Sequence, residues 1–290
     1  MKEQLKAYQA MTEAYLASCF AEDLEQRNLL EAMRYSLLAG GKRIRPVLTL
    51  AFCQACGTAP EKALSFACAL EMVHTGSLIH DDLPCMDNDD YRRGKLTCHK
   101  VYGEDGAVLA GDSLFIAAFE FLCRAELPAG TVVDAVRELA RASGPYGMAG
   151  GQQLDMEGEH KQLNTRELEL LQGLKTGALI RCACRLGVLA GGGTPAQLAA
   201  ADAYATALGL AFQIQDDILD CVGDEALLGK PVGSDEQSGK STFVTACGIE
   251  ACRARVEELT QTAVHALDDQ GFQNPAFLQD LAVELASRDH

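Results

Sequence analysis

The pattern of apolar and polar positions along the chain predicts helices and no sheet. Residues 2–20 and 25–39 are amphipathic, and residues 61–82 form a long apolar segment that no proline interrupts. Further helices are predicted over residues 105–126, 131–142, 165–190 and 196–222. Glycine-rich breaks, such as Gly40-Gly41 and Gly191-Gly192-Gly193, are typical of helix ends and do not resemble domain linkers. Because no run of alternating apolar and polar residues is long enough for a strand, the fold class is expected to be all-α.

The composition agrees with a helical protein and argues against some partners. The 290 residues are 48% hydrophobic and include no Trp and only 8 Pro, which favours helices over strands. The formal net charge of −16 argues against nucleic acid or an anionic membrane surface as a partner, since both are polyanions. A small anionic substrate would need cations gathered locally.

The sequence offers no signal for export. The first twenty residues contain Glu3 and Glu13 and lack an uninterrupted apolar core of signal-peptide type, and no stretch of about 20 uncharged apolar residues would form a membrane span. We therefore expect a cytoplasmic protein whose 12 cysteines are mostly buried reduced thiols. Cys53 and Cys56 form a C-x-x-C, and Cys182 and Cys184 a C-x-C, but neither pair has a partner at zinc spacing.

Residues 77–94 concentrate more charge than any other stretch. Five aspartates, among them Asp81, Asp82 and Asp87, are followed by Arg92 and Arg93. Two adjacent carboxylates at about 4 Å repel by roughly 4 kcal/mol at an effective dielectric near 20. Magnesium prefers carboxylate, water and phosphate oxygens, and arginine suits phosphate, so the stretch indicates a metal beside a phosphate. The alternative is a solvated acidic loop.

Helical spacing predicts that His74, Ser77 and Asp81 share one face of the helix over residues 61–82. Asp81 and Asp82 fall in its last turn, where the helix dipole already places negative charge, and this strengthens the case for a cation. Pro84 should end the helix, and the loop after it can bring Asp87 back beside Asp81.

Two other stretches carry candidate chemistry. Asp216 and Asp220 share a face with Gln213 on an otherwise apolar helix, so this polar stripe is expected to face an interior cavity. The glycine turn before Lys42, Arg43 and Arg45 is either an anion cradle or an exposed basic turn. The string Gly239-Lys240-Ser241-Thr242 is not a P-loop, because the first glycine of that motif and a preceding strand are both missing.

Taken in order, these motifs resemble one family, the trans-isoprenyl diphosphate synthases of the bacterial farnesyl and geranylgeranyl diphosphate synthase type. The resemblance runs from about residue 31 to 248 through GGKRIRP, SLIHDDLPCMDNDDYRRGKLTCHK, LAGDSLF, GGQQLD, KTGALI, GLAFQIQDDILD, LGKPVGSD and GKSTF. It implies a single-domain isoprenoid-synthase helical bundle around a central active-site cavity, with residues 1–290 as one polyprenyl synthetase domain. It also implies a homodimer.

The resemblance assigns roles to residues by motif position. Asp81, Asp87 and Asp216 would hold magnesium, three ions when substrate is bound, with Asp82, Asp217 and Asp220 in support. The allylic diphosphate would meet Arg92, Lys175, Thr176, Gln213, Lys230 and Lys240, and isopentenyl diphosphate would meet Lys42, Arg45, His74 and Arg93. The catalytic set would be Asp81, Asp82, Asp87, Arg92, Lys175, Thr176, Gln213 and Asp216.

The implied reaction is a head-to-tail 1′-4 condensation. Magnesium and cationic side chains stabilise the departing diphosphate, and an allylic carbocation is left in a dry pocket. The double bond of isopentenyl diphosphate attacks this cation, and loss of a proton to the released diphosphate completes the step. Dimethylallyl, geranyl and farnesyl diphosphates are the expected allylic substrates, and farnesyl or geranylgeranyl diphosphate the expected product.

Gly76 and Ser77 are the expected determinants of product length. In farnesyl-making relatives the residue five before the first aspartate is typically aromatic and forms the pocket floor, whereas here it is Gly76. Five helical residues span about 7.5 Å, so the missing ring predicts a product beyond C15, with C20 favoured. A floor at Phe52 or Phe115 is the alternative.

Two alternatives share the fold. A terpene cyclase usually has an Asn/Ser/Glu second metal motif and lacks the site for a second diphosphate. A non-catalytic regulatory subunit of a heteromeric synthase tends to have damaged acidic motifs, and both motifs are intact here. Each is therefore less favoured than a synthase.

Overall fold

The computed structural model describes residues 1–22, 24–159, 161–222 and 241–287, and these are helical nearly throughout. The α-helices are α1 (Lys2–Ser18), α2 (Arg27–Leu37), α3 (Ile44–Ala55), α4 (Leu64–Asp81), α5 (Cys98–Cys123), α6 (Ala129–Ser143), α7 (Met148–Gly158), α8 (Thr165–Gln172), α9 (Ala178–Ala190), α10 (Pro195–Val222), α11 (Phe243–Cys247), α12 (Ile249–His265) and α13 (Ala276–Ala286). A 3₁₀ turn at Pro60–Ala63 precedes α4, and a π-helical turn at Gly173–Gly177 joins α8 to α9. The all-α expectation is confirmed.

The structure differs from the predicted segments in three places. The helix expected over residues 165–190 is divided by the π-helical turn. The helix expected from residue 105 begins at Cys98, because two helices meet across a kink at Gly103, whose φ of 80° is outside the helical range. A two-residue antiparallel ribbon, β1 (Tyr91–Arg92) with β2 (Lys95–Leu96), was not predicted, since so short a pair has no alternating pattern.

Helix α4 lies in the centre of the fold and carries the acidic stretch at its carboxyl end. It packs most extensively on α5 and also contacts α3 and α9, while α10 packs on α9 and α12. Phe66, Leu70 and Met72 of α4 are fully buried, and burial of each such side chain contributes about 1.5–3 kcal/mol. The charged end of α4 is therefore fixed by a rigid apolar body.

The cysteines of the described residues form no disulfide. Burial raises the pKa of Cys53 to about 12 and that of Cys56 to about 11, so both thiols are protonated near neutral pH.

Among the described residues, α5 is the one helix long and apolar enough to cross a membrane by length and composition. Core helices of globular proteins pass the same test, and 44% of its apolar window is buried inside the fold.

Candidate active site

A cavity of about 740 Å³ opens beside the carboxyl end of α4. Its wall includes His74, Ser77 and Asp81. The three residues therefore share one face of α4, as their spacing predicted. The rest of its wall includes Phe115 and Phe119 of α5, together with residues of α7 and of the π-helical turn. The cavity is charged at one end and apolar along its length, which suits a ligand with an anionic head and a hydrocarbon tail.

The loop after α4 returns as expected and brings Asp87 next to Asp81. The Asp87 N–H donates to the Asp81 carbonyl at 2.9 Å. Burial raises the pKa of Asp81 to about 6; Asp87 adds to the rise, and Lys175 opposes it. Two carboxylates held together with too little positive charge are suited to a divalent cation that also takes water and phosphate oxygens. The described residues contain no cluster of three His, Cys, Asp or Glu side chains able to hold a metal by itself.

Asp82 faces away from the cavity and anchors Arg92. Its Oδ1 accepts from Arg92 Nε at 2.7 Å, and Arg92 Nη2 lies 2.6 Å from the same oxygen. Burial raises the pKa of Asp82, although the hydrogen bond and charge of Arg92 oppose the rise. Burial works against the charged form of Arg92, but Asp82 outweighs it and the pKa of Arg92 is raised. The guanidinium is therefore a fixed cation near the acidic pair.

A second, smaller cavity of about 140 Å³ gathers the four residues assigned to isopentenyl diphosphate. Lys42, Arg45, His74 and Arg93 all line it. Burial and the nearby arginines lower the pKa of His74 well below its usual value. The neutral imidazole accepts at Nε2 from Arg45 Nη1, 3.2 Å away.

Arg45 fits an incoming anion. Its Nε is buried and has no hydrogen-bond partner among the described residues, and burial lowers its pKa. Arg93 donates instead to the Gly40 carbonyl. Gly41, at φ +128°, has no Cβ, and a Cβ there would lie 2.8 Å from Arg93 Cζ. The Arg93 side chain can therefore lie against the turn before Lys42 because Gly41 has no side chain.

Lys175 and Thr176 lie on the π-helical turn, and both line the larger cavity. Lys175 Nζ is 2.5 Å from Asp155 Oδ2 of α7. Gly151 of α7 lies so close to the Lys175 backbone that a Cβ would clash with it. Thr176, with Arg45 and His74, lines both cavities, so the two cavities adjoin.

Helix α10 supplies the other wall of the smaller cavity through Phe212. The following residue, Gln213, donates from Nε2 to Gln172 Oε1 at 3.0 Å. Asp216 lies one helical turn beyond Phe212 on the same helix. Asp217 Oδ2 accepts from the Phe243 N–H at 2.6 Å and so connects α10 to α11. Asp220 is buried.

Two assigned lysines, Lys230 and Lys240, lie outside the described residues. Of the two expected determinants of product length, Ser77 lines the cavity and donates from Oγ to the His74 carbonyl at 2.9 Å. Gly76 is buried and faces the Gly111 carbonyl and the Phe115 ring.

Comparison with known proteins places this architecture in a family. A model of the polyprenyl synthetase family matches residues 26–274. This chain belongs to the polyprenyl synthetase family. It is 43% identical over 297 aligned residues to the farnesyl diphosphate synthase of Geobacillus stearothermophilus, covering 100% of this chain and 97% of that protein.

Two solved structures are similar to this polyprenyl synthetase over almost their whole length. Geranylgeranyl pyrophosphate synthetase from Pyrococcus horikoshii is 31% identical, with a TM-score of 0.91 and 99% of each chain covered. An FPP/GFPP synthase from Zymomonas mobilis is 35% identical, with a TM-score of 0.87, covering 99% of this chain and 100% of that one.

The sequence did not identify Arg43 as a structural residue of this polyprenyl synthetase. Its side chain is 0% exposed. It donates to Glu13 Oε1, to Glu71 Oε1 and to the Leu37 carbonyl, each at 2.7 Å. Arg43 therefore ties α1, α4 and the end of α2 to the turn that carries Lys42 and to the start of α3, where Arg45 lies. The contact between Asp155 and Lys175 was not predicted, because an aspartate on a helix gives no sign of its partner.

Proposed function

We propose that this polyprenyl synthetase condenses isopentenyl diphosphate with an allylic diphosphate, which is dimethylallyl, geranyl or farnesyl diphosphate. The product is farnesyl or geranylgeranyl diphosphate, formed by head-to-tail 1′-4 condensation. One observation carries the proposal: a large, mostly apolar cavity lined at Asp81 adjoins a second cavity lined by cationic side chains, and Arg45, His74 and Thr176 line both. Two diphosphates would thus bind with their reacting ends close together.

Magnesium is the implied metal. In the proposal, Asp81 and Asp87 hold it on one side and Asp216 on the other, with Asp82, Asp217 and Asp220 in support. The hydrogen bond from the Asp87 N–H to the Asp81 carbonyl, and the raised pKa of Asp81, to which Asp87 contributes, support this donor set. When bound, magnesium would neutralise charge on the departing diphosphate.

In the proposal, the other side chains of the site bind the allylic diphosphate or stabilise the allylic cation. Arg92 and Lys175 hold the allylic diphosphate together with Lys230 and Lys240. Because Lys175 is paired with Asp155, its ammonium exchanges that carboxylate for the diphosphate on binding. The oxygens of Thr176 and Gln213 face the developing allylic cation.

Lys42, Arg45, His74 and Arg93 hold isopentenyl diphosphate. The neutral His74 accepts from Arg45 and so orients the guanidinium without adding charge. The proton lost from the condensed chain goes to the departing diphosphate in this proposal.

The comparisons favour a synthase over a terpene cyclase or a non-catalytic subunit, because the matched relatives are farnesyl and geranylgeranyl diphosphate synthases over nearly the whole chain. We take residues 1–290 as one polyprenyl synthetase domain working in the cytoplasm.

A homodimer is part of the proposal. After its kink at Gly103, helix α5 exposes Val108, Leu109 and Ile116 at helical spacing, and Ile116 is 73% exposed. A second copy that covered this face would bury it. Sedimentation should give a dimer that Ile116→Asp converts to a monomer; a monomeric unaltered protein would refute the dimer.

The activity is tested with purified protein, labelled isopentenyl diphosphate, dimethylallyl diphosphate and magnesium, followed by chromatography of the products. Prenyl diphosphates should form, and Asp81→Asn should reduce turnover at least a hundredfold, the order of loss typical of a removed electrostatic group. Absence of condensation by the unaltered protein would refute the proposal. Cyclic hydrocarbons instead of prenyl diphosphates would favour a cyclase.

A further inference from the structure

We infer that the Phe115 ring, held in place by His80, forms the floor of the large cavity and sets product length in this chain. The residue at position 76 acts only through that ring. The inference rests on the proposed function and deepens it, because it assigns chain-length specificity to side chains that the acidic motifs do not include.

The first step is the direction of the two helices that enclose the cavity. Near the end of α4, His80 Nε2 lies 3.2 Å from the Val108 carbonyl of α5. One turn earlier on α4, Gly76 faces Gly111 and Phe115. Helix α5 therefore runs away from the acidic end as its numbers increase. Phe115 and Phe119 meet the cavity in succession, with Phe119 deeper.

The second step concerns Gly76. A Cβ at this position would lie 3.0 Å from the Gly111 carbonyl oxygen and 3.3 Å from Phe115 Cε1. Gly76 is buried, whereas its neighbour Ser77 lines the cavity. The space that a missing aromatic side chain would leave at position 76 is therefore occupied by the Phe115 ring. A C20 product stays a prediction, but it cannot be argued from an empty space beside Gly76.

The third step is how the ring is held. His80 packs edge-on against Phe115, with ring centroids 5.5 Å apart and planes at 71°. The imidazole fits because Gly111 has no side chain, since a Cβ there would clash with the ring. The histidine is thus wedged between α4 and α5 and leaves Phe115 little room to turn. His80 also lines the cavity beside Asp81, so its substitution would alter the acidic end of the cavity as well. Substitution of Phe115 avoids that second effect.

The spacing of the two phenylalanines gives the size of the expected change. Phe115 and Phe119 are four residues apart on one helix, which is about 6 Å along its axis. That rise is close to the length of one extended five-carbon unit. Removal of the Phe115 ring should extend the cavity to Phe119 and lengthen the main product by one such unit.

The test compares products of the unaltered protein with those of Phe115→Ala, using labelled isopentenyl diphosphate and geranyl diphosphate. Phe115→Ala should shift the main product up by one five-carbon unit, and Phe115→Ala/Phe119→Ala should shift it further. Phe20→Ala removes the same ring from a partly buried place outside the cavity and should leave the product unchanged. An unchanged distribution in Phe115→Ala, with condensation still measurable, would overturn the inference.

Gly76→Tyr separates the two candidates for the floor. Its side chain has to displace the Phe115 ring toward the cavity, so the product should become shorter, and Gly76→Tyr/Phe115→Ala should return to at least the unaltered length. If the double variant stays as short as Gly76→Tyr, position 76 acts by itself and the inference fails.

A binding measurement keeps the inference testable if a variant loses activity or the proposed condensation is not observed. Calorimetry with magnesium and unreactive prenyl thiodiphosphates of 15, 20 and 25 carbons gives a length limit without turnover. The limit should rise by one unit in Phe115→Ala. An identical limit in both proteins would refute the Phe115 floor, whereas absent condensation with a shifted limit would refute only the proposed reaction.

Discussion

Replacement of Arg43 by Met should destabilise the protein and weaken isopentenyl diphosphate binding together. The substitution removes a guanidinium that is 0% exposed and leaves Glu71, 2% exposed, without it. Removal of one member of a buried ion pair costs about 3–5 kcal/mol, mainly because the other charge stays buried. The loss should be visible as a lower free energy of unfolding in urea, followed by circular dichroism.

The kinetic effect of Arg43→Met should be selective. Since Arg43 fixes the turn that carries Lys42 and the start of α3, where Arg45 lies, the KM for isopentenyl diphosphate should rise more than that for the allylic diphosphate. Arg137→Met is the matched control, because Arg137 is 71% exposed in a surface pair with Asp134, and such pairs contribute about 0–1 kcal/mol. If Arg43→Met costs no more than the control, or raises both KM values equally, the positioning argument is wrong.

Three further predictions follow from individual contacts. Burial raises the pKa of Asp81 to about 6, so magnesium affinity measured by calorimetry should fall about tenfold per pH unit as the pH drops below that value. In the metal-free protein, the contribution of Asp81 to the free energy of unfolding should increase as the pH falls from about 6 to the ordinary 3.8, because only the folded state binds the proton in that range. Asp81→Asn should lose both trends. Gly111→Ala should lower the free energy of unfolding by about 1–3 kcal/mol through overpacking. Gly130→Ala is the control: its Cβ meets nothing within 4 Å, so it should raise the free energy of unfolding by about 0.5–1 kcal/mol. Equal effects of the two substitutions would refute the packing argument. Asp217→Ala should cost about 1.5–3 kcal/mol in urea unfolding, since the Phe243 N–H loses a charged acceptor, and a neutral result would mean that this bond does not hold α11.

Local patterns predicted the parts of the site that depend on one helix. The shared face of His74, Ser77 and Asp81 follows from helical periodicity alone, and Pro84 correctly indicated where the loop returns toward Asp81. The family resemblance, which the family model over residues 26–274 confirmed, added the pairing of distant motifs, and that pairing stays a prediction. These features need no knowledge of how helices pack on each other.

Features that arise between helices were not predictable in the same way. The π-helical turn at Gly173–Gly177 carries no distinctive sequence pattern, and it packs against α7 where Gly151 permits close approach. The Phe115 floor was only one of several options, since the sequence does not say which face of α5 meets α4. A missing ring at Gly76 suggested empty space, but a ring from the neighbouring helix occupies that place.

In two motifs of this protein, charged residues that are close in sequence lie in different surroundings. Successive helical residues point about 100° apart, so Asp81 faces the cavity while Asp82 is buried against Arg92. Arg43 likewise holds the turn from inside, whereas Arg45 leaves a donor unpaired in the cavity. We expect the inward charge of each of these two pairs to fix the geometry that the other, the proposed ligand of metal or substrate, needs for binding. Substitution of the inward residue should therefore reduce stability and substrate affinity together, and substitution of the cavity residue should reduce affinity alone.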